Sequence, residues 1–499
     1  MRGNATGAVG WLVVSLVSIA SLAGAADDAA RLAEAVNHRD AKAVQALLKQ
    51  GADVNAPQPY GTTVLQWATH AGDGTTVDLL LAAGARVDAA DDYGVTPLWL
   101  ACLNGDPHLV ERLLKAGANP KTTLPTGETV LMRAAHTGNV DVVTLLLEHR
   151  ADVNARESSL GQTALMWAAA EGHAEVVQTL IAHGADIHAR SKAGFTPFVL
   201  SARSADQDAA RVLLDAGADV NEAAPDGTTA LVVATIRSNT ALAKFLLEKG
   251  ADANAGPGFA PLHWVAGEWR DALNNSRRDE NSEWRVFEGL HGPAKLELAK
   301  ALLAHGANPN ARAKRNPGYQ GGSSMRGGTL AGSTPFFIAA TVADLDVMRL
   351  LVASGADPSL ATNRRATPLM AAAGVGSGIS GSPVPQGRAL EAVKLCLELG
   401  NDINAANVES ETALHGAAYR GPQGTDLLLQ FLVDNGAKIN AKNVQGWTPL
   451  TIVEGLYTNA SNTLSPSGVA VLRKLGAEPS PKDLDRNLGS SVLNGGLNR

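Results

Sequence analysis

The chain has 499 residues, of which 18% are charged and only 4% aromatic, and its formal net charge is −7. This mild acidity argues against general nucleic-acid binding, and the acid is spread too thinly to form a tail. The length allows several domains or one long repeat array.

The first 25 residues read as a secretory signal. Arg2 is the positive start, Ala8 to Ala20 (AVGWLVVSLVSIA) the short apolar region, and Ala23-Gly24-Ala25 the small-residue cleavage site. The apolar stretch falls short of the roughly 20 residues that span a bilayer, so cleavage is expected over retention as an anchor. No cysteine follows it to carry a lipid, and no later segment is apolar enough to cross a membrane. The expected location is periplasmic or secreted.

A repeat follows. "GADVNA" at Gly51 has relatives at Gly84, Gly117, Arg150, Gly184, Gly217 and Gly250, spaced 33 or 34 residues apart. About ten residues after each comes a second phrase, such as "TVLQWA" at Thr63, "TPLWLA" at Thr96 and "TALMWAA" at Thr163. A Thr side chain caps free N–H groups at a helix start, and Pro suits the first helical position. A third phrase, "AEVVQTLIAHG", places Val176, Val177, Leu180 and Ile181 on one face of a second helix. Gly184 then ends that helix, because glycine tolerates a left-handed backbone. Each unit is therefore turn, helix, short turn, helix.

A ~33-residue unit bearing T-P-L-H-x-A resembles the ankyrin repeat family. About twelve units, from roughly Asp27 to Pro479, carry the resemblance. It implies an all-α solenoid of helix-turn-helix units, with hairpin fingers and a concave binding surface. Arg150 in place of the helix-ending glycine, and Ala260 in place of the capping threonine, depart from the pattern and should weaken their units locally. Cys102 and Cys396 fall seven repeats apart. Helices stack at roughly 8–10 Å, far beyond the reach of a disulfide, so both read as small buried hydrophobes.

After Gly250 the markers fall at Gly306, Gly355, Gly400, Gly436 and Gly476, at intervals of 56, 49, 45, 36 and 40. The helix phrases persist, so the repeat continues with inserted material. The chain divides into a signal (1–25), regular repeats with an N-terminal cap (26–255), repeats with insertions (256–480) and a tail (481–499). The eighth, tenth and twelfth units are lengthened between their two helices, and the ninth in its hairpin.

Insertions in repeat arrays map to surface loops, often at a binding face. The eighth contains Trp269, Arg270, Arg277, Arg278, Trp284 and Arg285, residue types that dominate interfaces. These are candidate partner-binding residues, and self-packing of the aromatics against the stack is the competing reading. The ninth insertion is basic and adds Tyr319 and Arg326, near Lys300, Arg312, Lys314 and Arg315. It is either a positive patch or a solvated loop. Tyr60 and Tyr93, each before a turn glycine, are further candidates at finger tips. Trp67, Trp167 and Trp264 recur at one repeat position, which suits either packing between repeats or a row of aromatics in the groove.

Chemistry finds little support. Gly376-x-Gly378-x-x-Gly381 lacks the strand-turn-helix context of a dinucleotide site, and "GISGS" at Gly378 is not a nucleophile elbow. His263 and His415 fill the histidine of T-P-L-H, and His173 lies in "EGH". All three read as structural, with no zinc spacing. The expectation is a monomeric, non-catalytic scaffold that binds another protein, with no cofactor, metal or nucleic acid. A small-molecule or haem-type binder using the Trp and His rows is the alternative, and an enzyme with a site on the insertions is a third.

Overall fold

The protein, described here from a computed structural model, is defined over residues 27–204, 206–269, 292–314, 330–375, 384–421, 425–455 and 464–479. The chain forms two compact units, divided between Asp219 and Val220.

In the first unit six helix pairs follow one another: α1 (27–37) with α2 (Ala41–Lys49), α3 (Val64–His70) with α4 (Gly74–Ala82), α5 (Pro97–Asn104) with α6 (Pro107–Lys115), α7 (Val130–Thr137) with α8 (Val140–Glu148), α9 (Ala164–Glu171) with α10 (Ala174–Ala182), and α11 (Pro197–Ser201) with α12 (Asp208–Asp215). The second unit has six more: α13 (Ala230–Ile236) with α14 (Thr240–Glu248), α15 (Pro261–Ala266) with α16 (Gly292–Ala304), α17 (Pro335–Thr341) with α18 (Leu345–Ala353), α19 (Pro368–Ala373) with α20 (Gln386–Glu398), α21 (Ala413–Tyr419) with α22 (Asp426–Asp434), and α23 (Pro449–Val453) with α24 (Pro466–Lys474). Within each unit, first helices pack on first helices and second helices on second helices. Two layers result, as an all-α ankyrin solenoid requires.

Local chemistry explains each pair. The phrase threonine caps the first helix: Thr129 Oγ1 accepts from Met132 N–H at 3.0 Å, and Thr334 Oγ1 from Phe337 N–H at 3.2 Å. The marker glycine closes the second helix. Gly184 has φ +86°, and the following N–H, of Ala185, donates to Leu180 O at 3.0 Å. Leu165, Val176, Val177 and Leu180 are fully buried between the layers. At the two departures the structure adapts. Arg150 takes the same left-handed backbone, at φ +67°. Ala260 has no side-chain cap to offer, and its N–H instead donates to His263 Nδ1 at 3.1 Å.

The asparagine of "GADVNA" joins neighbouring repeats. Asn154 Nδ2 donates to Gly184 O at 3.0 Å, while its Oδ1 accepts from Asp186 N–H at 2.9 Å. Asn254 makes the same two bonds to Gly306 O and Asn308 N–H, at 2.9 and 2.7 Å. Asn310 does so with Gly355 and Asp357. Finger tips are also stitched by backbone, as in Asp92 N–H to Tyr60 O at 3.0 Å and Lys192 N–H to Leu160 O at 2.7 Å.

Residues 270–291, 376–383 and 456–463 fall between the helices of the eighth, tenth and twelfth pairs, and 315–329 within the ninth finger. The base of that finger is closed by Ala313 N–H to Ser333 O at 2.9 Å and Gly332 N–H to Ala313 O at 2.7 Å. Just past the eighth insertion the buried Lys295 pairs with Asp344 at 2.7 Å. Cys102 and Cys396 are buried free thiols. Desolvation pushes both up, Cys396 to about 12.

Candidate functional site

The first helices of unit 1 turn one face away from the second helices, and three half-buried tryptophans lie along it, Trp67, Trp99 and Trp167. Arg133 sits at the same register as Trp67 and Trp167, four residues past the capping threonine. Its guanidinium stacks on both neighbouring indoles, 5.0 Å from the Trp99 ring and 5.7 Å from that of Trp167. Glu128 holds it in place, accepting from Arg133 Nε at 2.8 Å. His136, exposed, meets Trp167 edge-on at 5.7 Å. The indole N–H groups of Trp99 and Trp167 have no acceptor, whereas Trp67 donates to Thr62 Oγ1 at 3.1 Å.

That last bond links the row to the fingers, because Thr62 closes the turn that carries Tyr60. Tyr60 and Tyr93 occupy the same position on adjacent fingers and are 70% and 66% exposed. Tyr60 also adopts φ +63°, a left-handed conformation that costs a non-glycine residue roughly 1–2 kcal/mol. Between the two fingers lies a cleft of about 400 Å³, lined by Asn55, Pro57, Gly61, Thr63, Arg86 and Asp88 among others.

Unit 2 treats its aromatics differently. Trp269 is 3% exposed and Trp264 7%. They meet at 5.3 Å, and Phe259 packs on them at 5.6 and 5.7 Å. Trp269 Nε1 donates to Trp264 O at 2.8 Å. A Cβ at Gly267 would come within 2.5 Å of the Trp269 ring, so glycine there lets the indole fold back. Trp269 therefore does not present its ring to a partner. The gain from burying a large aromatic surface, with its N–H satisfied, outweighs leaving it in water.

Arg270, Arg277, Arg278, Trp284, Arg285, Tyr319 and Arg326 lie outside the described residues, as do Arg315 and the glycine-rich stretch from Gly376. Of the basic side chains around the ninth insertion, Arg312 is engaged in the fold, donating to Gly332 O at 3.1 Å and Ala361 O at 2.9 Å. Lys314 is exposed.

The histidines join repeats. His263 Nε2 lies 3.0 Å from Ala311 O, His415 Nε2 3.2 Å from Trp447 O, and His173 Nε2 3.0 Å from His136 O. Burial lowers His263 and His415 to about 4, so both are neutral at pH 7. Among the described residues no cluster of three His, Cys, Asp or Glu side chains converges to hold a metal, and no helix is long and apolar enough to cross a membrane.

Sequence reasoning missed the Trp99–Arg133–Trp167 stack. Its signal was present, since Arg133 shares the register of two tryptophans and Trp99 precedes that register by one residue. The bridging role of the marker asparagine was read only as turn chemistry.

A family model described as ankyrin repeats (3 copies) matches residues 32–123, 98–191 and 188–257. A second, described as ankyrin repeat, matches 331–363. The helix pairs and asparagine bridges continue between and beyond these segments. The chain thus belongs to the ankyrin repeat family, whose repeats are generally protein–protein interaction modules and whose members are typically non-enzymatic.

Proposed function

We propose that the protein is an exported scaffold that binds another protein, in the periplasm or outside the cell, without covalent chemistry. The observation that carries this reading is the pair of exposed tyrosines on adjacent fingers beside the half-buried Trp–Arg row of unit 1. Aromatic and Arg side chains supply most of the energy in protein interfaces, and isolated exposure of two at matched positions serves no packing purpose. The apolar N-terminal stretch ending in Ala23-Gly24-Ala25 supports export. The buried, desolvated thiols of Cys102 and Cys396 are poor nucleophiles. The arginines and aromatics between residues 270 and 291 form a second proposed contact region.

The test is capture from the native envelope extract by residues 26–499. Two variants run in parallel, Tyr60→Gly with Tyr93→Ala, and a chain in which 270–291 is replaced by a short turn. A protein retained by the parent and lost with the tyrosine variant supports the unit 1 surface, and loss with the shortened chain supports the second region. Equal retention by all three removes both. Mass measurement of the mature chain checks export, which requires a start at or next to Ala26.

A further inference from the structure

The finger tips carry information about their partner. Between Gly51 and Val95 the charged residues are Asp53, Asp73, Asp78, Asp88, Asp91 and Asp92 against one cation, Arg86. Asp78 is already paired with Arg112, and Asp73 caps α4. Asp53, Asp88, Asp91 and Asp92 belong to the turns and fingers themselves, with Asp53, Asp88 and Asp92 exposed. Tyr60 and Tyr93 stand in this negative field with their ring faces uncovered. Aromatic faces attract cations, and carboxylates add charge-assisted hydrogen bonds. The same chain shows the preference internally, where Arg133 lies between two indoles with Glu128 beside it.

Spacing narrows the partner further. Adjacent repeats stack at roughly 8–10 Å, which sets the separation of two residues at one register on neighbouring fingers. A polyproline-II segment rises about 3.1 Å per residue with three residues per turn. Its side chains at i and i+3 therefore share one face about 9 Å apart. Resting on the reading that the fingers of unit 1 bind protein, we propose that Tyr60 and Tyr93 take an extended, cationic segment of the partner with Arg or Lys at i and i+3. Asp88 and Asp92 supply the counter-charge.

The experiment is peptide display against the full chain, with random peptides, and the same selection against Tyr60→Gly with Tyr93→Ala. Gly suits the left-handed position, so the variant is expected to fold, and a circular-dichroism melt checks this. Selected pairs are followed by fluorescence anisotropy using Pro-rich peptides with two arginines at i,i+3 or at i,i+2. The expected result is an Arg/Lys-rich pool with i,i+3 spacing, absent from the variant. The i,i+3 peptide should bind about ten-fold more weakly to the tyrosine variant, and Asp92→Asn and added salt should weaken it too. A tyrosine-dependent pool of acidic or uncharged peptides would overturn the cationic partner and leave the finger site standing. A pool indifferent to the tyrosines would remove the finger site itself. Self-association abolished by the tyrosine substitutions would assign the tips to a second copy and overturn the proposal.

Discussion

Unit 1 and unit 2 use the same repeat under opposite sequence conditions. In unit 1 the markers keep a near-constant interval, and in unit 2 the interval stretches to as much as 56 residues. Yet Asn254 reaches Gly306 across the longest insertion with the same pair of bonds that Asn154 makes to Gly184 and Asp186 across a regular interval. Repeat stacking is set by a few anchoring atoms per unit, and chain length between the anchors is free to vary. Loop-closure entropy grows only slowly with length, so an inserted segment costs little once its two ends are held.

Those ends are where unit 2 departs from unit 1. The cluster of Phe259, Trp264 and Trp269 pins the chain as it leaves α15, and the Lys295–Asp344 pair holds it at the start of α16. Trp269→Ala is the sharpest way to break the comparison. Removing a buried tryptophan costs roughly 3–5 kcal/mol, and in a stack where each repeat contacts only its neighbours the loss stays local. Hydrogen exchange should show weakened protection in α15 to α18 with α3 to α10 unchanged. Equal weakening of both units, or none, would mean that Trp269 does not anchor the insertion.

Acid separates the units next. His263 and His415 occupy the third position after the cap, where unit 1 has Gln66, Trp99, Met132, Met166 and Val199. The folded state keeps both histidines neutral down to about pH 4, whereas the unfolded chain takes up protons near pH 6.5. Their stabilisation is therefore complete above 6.5 and is lost as pH falls from 6.5 to 4, by about 3 kcal/mol for each histidine. Exchange measured across that window should show unit 2 opening ahead of unit 1. His263→Gln with His415→Gln should flatten the difference. A pH response unchanged in the double variant would assign it to other groups.

Most of the fold was legible because the repeat states its rules many times over. Caps, helix-ending glycines and buried stripes recur, and each recurrence tests the others. The structural roles of His263 and His415 followed from their position in the phrase. The fate of Trp269 did not. A lone tryptophan at the root of an insertion has the same residue type whether it faces water or folds back, and only Gly267 and Phe259 nearby hold the clue. The Trp99–Arg133–Trp167 stack was hidden for a related reason, since it joins three successive repeats and no single repeat displays it. The exposure of Tyr60 and Tyr93 was readable because a residue before a turn glycine at a hairpin tip has little to pack against.

Asn254→Ala tests the bridge that both units share. It removes two hydrogen bonds at an exposed site where water replaces part of the loss, so about 1–2 kcal/mol is expected. Asn154→Ala should cost unit 1 a similar amount. A much larger effect at Asn254 would show that the insertion depends on its bridge more than a regular interval does.

The smallest effect runs in the stabilising direction. Arg150 stands where the other second helices of unit 1 from Gly84 to Gly217 end in glycine, and it holds φ +67°. Its N–H still donates to Leu147 O at 2.9 Å, and Ala151 N–H to Leu146 O at 2.9 Å, so the helix closes in the same way as its neighbours. What differs is the Cβ, which a left-handed backbone tolerates at a cost of roughly 1–2 kcal/mol. Glycine removes that cost and adds back some freedom to the unfolded chain. Arg150→Gly should therefore stabilise α8 and its neighbours by about 1 kcal/mol, read as slower exchange there. Tyr60→Gly relieves the same kind of strain and should stabilise its finger by a similar amount. Arg150→Gly is expected to leave peptide binding untouched, while Tyr60→Gly weakens it. If both gain stability and only the tyrosine change loses binding, relief of strain does not itself weaken binding, and the loss belongs to the Tyr60 side chain.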